Sequence, residues 1–139
     1  MPDGSFLLVA ALVVTLAAEL VNGWTDAPNA IATVVSTRVL SPSQAVLMAA
    51  VLNIVGTVVT GTAVASTIGT GIVKPEAINL SVVIAATLTV VIWSIVTWFY
   101  GIPTSESHEL VAGLAGAGLA TAGPSVLLWA GWRKVLIGL

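Results

Sequence analysis

The chain has 139 residues, 58% of them hydrophobic and 7% charged, with a mean hydropathy of +1.10 and a net charge of −2. Soluble domains carry roughly 25% charged residues, so an ordinary soluble domain is excluded. Four basic against six acidic residues leave no basic patch for nucleic acid, and the lack of cysteine removes disulfides and thiolate metal sites.

Taken in order, Met1-Pro2-Asp3-Gly4-Ser5 lacks the basic n-region of a secretory leader, so the apolar run that follows is expected to stay as a helix. That helix should start after Ser5, a candidate N-cap, and run to Val21. The stretch Asn22–Ala30 then places two Asn, a Gly, an Asp and a Pro inside an apolar segment, where irregular backbone survives only if protein or water satisfies it. Gly23 permits non-helical backbone, Asp26 can cap a new helix, and Pro28 suits a first turn. Residues 6–37 therefore read as one interrupted helix.

Arg38 and Ser41-Pro42-Ser43 form the next loop. Ser43–Ala65 and Ile78–Tyr100 read as two full spans, each longer than the ~20 residues that cross a bilayer core. Residues 66–77 connect them. Trp93, Trp98, Phe99 and Tyr100 crowd the end of the second, as amphipathic rings do at a membrane interface. A second polar break, Gly101–Glu109, follows. Leu110–Ala122 is too short to cross and rich in Gly, which suits burial against other helices. Gly123-Pro124 turns the chain, and Trp129–Leu139 runs to its end without a cap, as if the polypeptide normally continued. The expected fold is an all-α integral membrane protein: a broken transmembrane helix, two full spans and a re-entrant helical hairpin, with 1–139 as one transmembrane domain. An outside N-terminus puts Arg38, Arg133 and Lys134 inside and Lys74 outside, the orientation that the basic residues favour.

Each break leads into a helix N-terminus, which offers free N–H groups and partial positive charge to an anion. Thr104, Ser105 and Ser107 add hydroxyl donors at the second break; Asn22, Thr25 and Asn29 add donors at the first. Glu19 and Asp26 bring negative oxygens that suit Na⁺ or a transferred proton, and Asp26 with Asn29 is a candidate Na⁺ pair. Donors beside carboxylates describe a cation-coupled anion carrier. Against this, a Ser or Thr before a helix is commonly a cap, and His108 can either shuttle a proton or fix its loop through a carbonyl. An enzyme is disfavoured, because His108 with Ser105 or Ser107 lacks a third group.

Glu19-Leu20-Val21-Asn22-Gly23, Asp26 and Asn29-Ala30-Ile31-Ala32-Thr33 resemble the signature of the PiT (Pho-4) family of inorganic phosphate transporters, and Gly101-Ile102-Pro103-Thr104-Ser105-Glu106-Ser107-His108 resembles its second motif. The resemblance implies phosphate symport with Na⁺ or H⁺ across the cytoplasmic membrane, no cofactor beyond these transported species, and membrane lipid as surroundings. It further implies that the chain corresponds to the first of two inverted repeats, so that a second repeat or a second copy completes the site. By likeness, Asp26 and Asn29 belong to the substrate and ion site, and Thr104, Ser105 and Ser107 to the phosphate cradle. Glu106 departs from the family pattern, in which Ser or Thr is common, and is expected to face a cation, a proton path or a basic partner. A sulfate permease of the same fold and a non-transporting membrane assembly subunit are the competing expectations.

Overall fold

The computed structural model describes residues 2–62 and 71–138. Among the described residues five α-helices follow in order: α1 (Pro2–Ser36), α2 (Pro42–Thr60), α3 (Leu80–Tyr100), α4 (Glu106–Ala122) and α5 (Trp129–Gly138), with single 3-10 turns at Pro75–Ala77 and Pro124–Val126. Helices α1, α2 and α3 contain stretches long and apolar enough to cross a membrane.

The interruption expected at Asn22–Ala30 is not there: α1 is helical throughout, with Pro28 inside it. Proline removes one hydrogen bond, to the carbonyl one turn back, and the turns on either side persist. The polar side chains are accommodated by the helix itself, Thr25 Oγ1 donating to the Val21 carbonyl at 3.0 Å and Asn29 Nδ2 to Asp26 Oδ1 at 3.0 Å. Asp26 is thus not an N-cap, and α1 begins at Pro2 rather than after Ser5. At its far end Arg38 takes a left-handed φ of 59°, and the amides of Val39 and Leu40 both reach back to the Val34 carbonyl.

Helix α2 starts at Pro42 because Ser41 forms a capping box with Gln44. It ends at Thr60 with Gly61 at φ +69°; residues 63–65 of the expected span and 66–70 of the expected loop lie outside the described residues. Only Ala45 of α2 is buried, so its apolar surface faces outward.

Helix α3 is the hub, packing most extensively against α1 and α4. Its buried side is Val82, Ala86, Thr87, Val90, Ser94 and Thr97. Helix α4 approaches this side closely at Gly113, where a Cβ would sit 2.9 Å from the Ala86 carbonyl oxygen and 3.0 Å from Thr89 Cβ. The core gathers Val82 and Ala86 from α3, Val111 and Leu114 from α4, and Ile72, Val73 and Val126 from the connections. An antiparallel bridge pairs Val73 with Leu127; Lys74 N–H donates to the Val126 carbonyl and Leu128 N–H to the Ile72 carbonyl, both at 2.9 Å. This ties the segment before α3 to the turn between α4 and α5.

Candidate functional site

Two physical devices turn the chain sharply after α3. Gly101 adopts φ +66°, which costs a residue without Cβ little, and Ile102 N–H closes back on the Thr97 carbonyl at 2.8 Å. The extended run Ile102–Thr104 then leads to Ser105 at the N-cap of α4. Ser105 makes no side-chain capping bond. The capping explanation for this hydroxyl therefore fails, and the first-turn amides of α4 have no side-chain cap.

The turn brings the two polar motifs together. A cavity of about 320 Å³ is lined from α1 by Thr25, Asp26, Pro28 and Asn29, from α3 by Ser94, Thr97 and Trp98, and from the linker by Gly101–Thr104. Trp24 meets Trp98 edge-on at 4.9 Å beside it. Within the cavity, Thr97 Oγ1 lies 3.3 Å from Thr104 Oγ1, and it donates to its own helix at the Trp93 carbonyl at 2.9 Å. The Asn29–Asp26 bond leaves Asp26 Oδ2 and Asn29 Oδ1 as acceptors, a fit for a hard cation, and one Asn29 N–H as a donor for an anion.

A second cavity, of about 520 Å³, is lined by Thr89, Trp93, Thr104, Ser105, His108, Glu109 and Ala112. Thr104 belongs to both. Of the residues singled out from the sequence, Thr25, Asp26, Asn29 and Thr104 share the first cavity, while Ser105 and His108 face the second. Asn22, Ser107, Glu19 and Glu106 line neither. Glu106 is nevertheless coupled to the site. It lies outside the three candidate spans, and burial first, then the carboxylates of Glu19, Asp26 and Glu109, push it up to about 7 from 4.5.

Three residues were missed from the sequence: Ser94, Thr97 and Glu109. Ser94 and Thr97 stand three apart in the otherwise apolar second half of α3, a spacing that puts both on one face. Glu109 stood in plain view at the end of the second polar stretch, but only packing shows it 6% exposed with Ser94 Oγ donating to its Oε2 at 2.6 Å.

Apolar helices long enough to cross a membrane, with a polar cavity where two motifs meet, define a helical membrane protein with a solute-sized site. The chain belongs to the phosphate transporter family, whose profile matches residues 22–139. It is 48% identical over 128 residues to a probable low-affinity inorganic phosphate transporter of Rhizobium meliloti (strain 1021), covering 92% of this chain and 38% of that protein. The like-named protein of Bacillus subtilis (strain 168) is 45% identical over 132 residues, covering 94% of this chain and 39% of the relative. The low-affinity inorganic phosphate transporter PitA of Escherichia coli (strain K12) is 38% identical over 122 residues, covering 84% and 24%. The chain thus spans about two-fifths of the length of the first two relatives. No solved structure matches. The family is one of transporters, not enzymes.

Proposed function

We propose that this chain forms one half of a cation-coupled carrier that moves inorganic phosphate across the cytoplasmic membrane. The observation that carries it is the single cavity in which Thr25, Asp26 and Asn29 of the first motif meet Thr104 of the second, with Thr97 of α3 beside them. Hydroxyl, amide and first-turn N–H donors suit a tetrahedral oxyanion, and Asp26 can accept a hydrogen bond from partly protonated phosphate, which sulfate cannot donate. The Asp26–Asn29 oxygens suit Na⁺, and Glu106, half-buried among carboxylates, suits a proton; either supplies the coupling charge.

Helix α4 has 17 residues and α5 has 10. At 1.5 Å per residue these are about 25 and 15 Å, short of the ~30 Å hydrocarbon core, which supports a re-entrant hairpin rather than two spans. The outward apolar face of α2 leaves room for lipid and for an opposing repeat or second copy that closes the cavity from the other side.

The test is uptake of radiolabelled phosphate into proteoliposomes holding the protein that contains this chain, with Na⁺ and pH gradients imposed separately. Asn29→Ala and Thr104→Ala are each expected to cut uptake by about tenfold or more, the scale of one lost hydrogen bond to a charged group. Uptake that neither gradient drives, or that both variants leave intact, defeats this reading. Competition by sulfate as strong as by phosphate itself would reassign the substrate.

A further inference from the structure

Thr97 is 2% exposed and holds the linker at two points. Its carbonyl accepts from Ile102 N–H at 2.8 Å, and its hydroxyl oxygen lies 3.3 Å from Thr104 Oγ1. A hydroxyl has one proton and two lone pairs, so the direction of that second contact matters. Thr97 Oγ1 also stands 2.9 Å from the Trp93 carbonyl oxygen and 3.2 Å from that of Ser94. A carbonyl oxygen only accepts, so the shortest of the three contacts takes the Thr97 proton. The contact with Thr104 is then a hydrogen bond only if Thr104 donates. In that arrangement alone are both contacts satisfied.

With its proton given to Thr97, Thr104 Oγ1 keeps its lone pairs for the cavities it lines. The other hydroxyls of the first cavity are committed in the same way. Thr25 Oγ1 donates to the Val21 carbonyl at 3.0 Å, and Ser94 Oγ to Glu109 Oε2 at 2.6 Å. This wall therefore presents hydroxyl lone pairs rather than hydroxyl protons. Lone pairs repel the bare oxygens of an anion and attract a hydroxyl hydrogen. Inorganic phosphate carries a P–OH at neutral pH, and sulfate carries no such group.

We infer that Thr97 is a positioning residue for anion selectivity: by accepting the Thr104 proton it fixes Thr104 Oγ1 as an acceptor for the protonated oxygen of phosphate, a role that rests on the phosphate reading of the cavity. Thr104 then has the opposite polarity from an ordinary anion-binding hydroxyl. Sulfate in the same place sets oxygen lone pairs against oxygen lone pairs. A site that bonds a substrate hydroxyl rejects an analogue lacking it, because its own polar group is left unpaired. To hold sulfate, Thr104 has to turn its proton outward and give up the bond to Thr97.

Equilibrium binding of radiolabelled phosphate to the purified protein that contains this chain tests the role, in detergent at one neutral pH and fixed Na⁺. Unlabelled phosphate and unlabelled sulfate compete in turn, and the ratio of their inhibition constants is read. Thr97→Val removes the acceptor on α3 and frees the Thr104 proton. It should strengthen sulfate relative to phosphate by about tenfold, the scale of one hydrogen bond to a charged group. Thr97→Ser, which keeps the hydroxyl, should keep the wild-type ratio, whereas a purely structural Thr97 would weaken both anions alike on Thr97→Val. Thr104→Val should weaken phosphate about tenfold more than sulfate. A wild-type ratio in folded Thr97→Val overturns the role. Where Thr97→Val does not fold, equal weakening of the two anions in Thr104→Val overturns it, since Thr104 then donates to either anion. A protein that binds no labelled phosphate at all defeats the phosphate reading itself, a result distinct from an unchanged ratio in a protein that binds it.

Discussion

Glu106 opens α4 where three other carboxylates act on it, and its elevated value of about 7 makes folding itself pH-dependent. The folded state binds this proton more tightly than the unfolded chain does. The contribution is therefore fully present below about 4.5 and is lost as pH rises through about 7. Glu106→Gln removes the penalty of ionisation. Its melting temperature should match wild type near about pH 4 and exceed it near about pH 8, measured by intrinsic tryptophan fluorescence in detergent. An offset of equal size at both values would show that Glu106 acts through packing rather than charge. At this scale the residues that meet in the first cavity were legible in the sequence, because Thr25, Asp26, Asn29 and Thr104 are polar residues in an apolar chain. Ser94 and Thr97 were silent for a physical reason. A lone hydroxyl in an apolar helix ordinarily bonds its own backbone, as Thr97 does at Trp93, and only the packing of α4 gives Ser94 a carboxylate to reach.

Among the elements, the contact of α3 with α4 is held close by the absence of a side chain at Gly113. A Cβ there meets the Ala86 carbonyl oxygen at 2.9 Å, and backbone yields poorly. Gly113→Ala should cost about 1–3 kcal/mol, the usual range for overpacking. Gly116→Ala, where a Cβ meets nothing within 4 Å, should instead gain up to about 1 kcal/mol, because Ala is the better helix former. Thermal unfolding of the two variants side by side checks the difference; a similar gain in both would mean that helix propensity, not the interhelical contact, decides. The glycine-rich pattern of α4 thus spoke for burial before its partner was known. The continuity of α1 was harder to foresee. Polar residues and Pro28 resemble a helix end in sequence, yet one missing bond is tolerated where Thr25, Asp26 and Asn29 bond locally and Trp24 packs on Trp98.

In the whole molecule, membrane class followed from composition, since long uncharged stretches have few alternatives. The pairing of Val73 with Leu127 did not, because a bridge one residue long leaves no periodic trace. That bridge gives the molecule a redundant connection. It closes a circuit of 54 steps along the chain (127 − 73 = 54) through α3, the linker and α4, so the strip between Gly101 and Ser105 is no longer the sole link between its two sides. A polypeptide severed after Gly101 should hold together: separately expressed pieces on either side of that bond should copurify from membranes. Leu128→Pro, which removes the donor to the Ile72 carbonyl, should weaken the association of the severed pieces while the uncut chain tolerates it. Failure of the pieces to associate even without that substitution would show that covalent continuity is indispensable. If they do associate, the segment bearing Thr104 is a bridge deck whose supports stand without it.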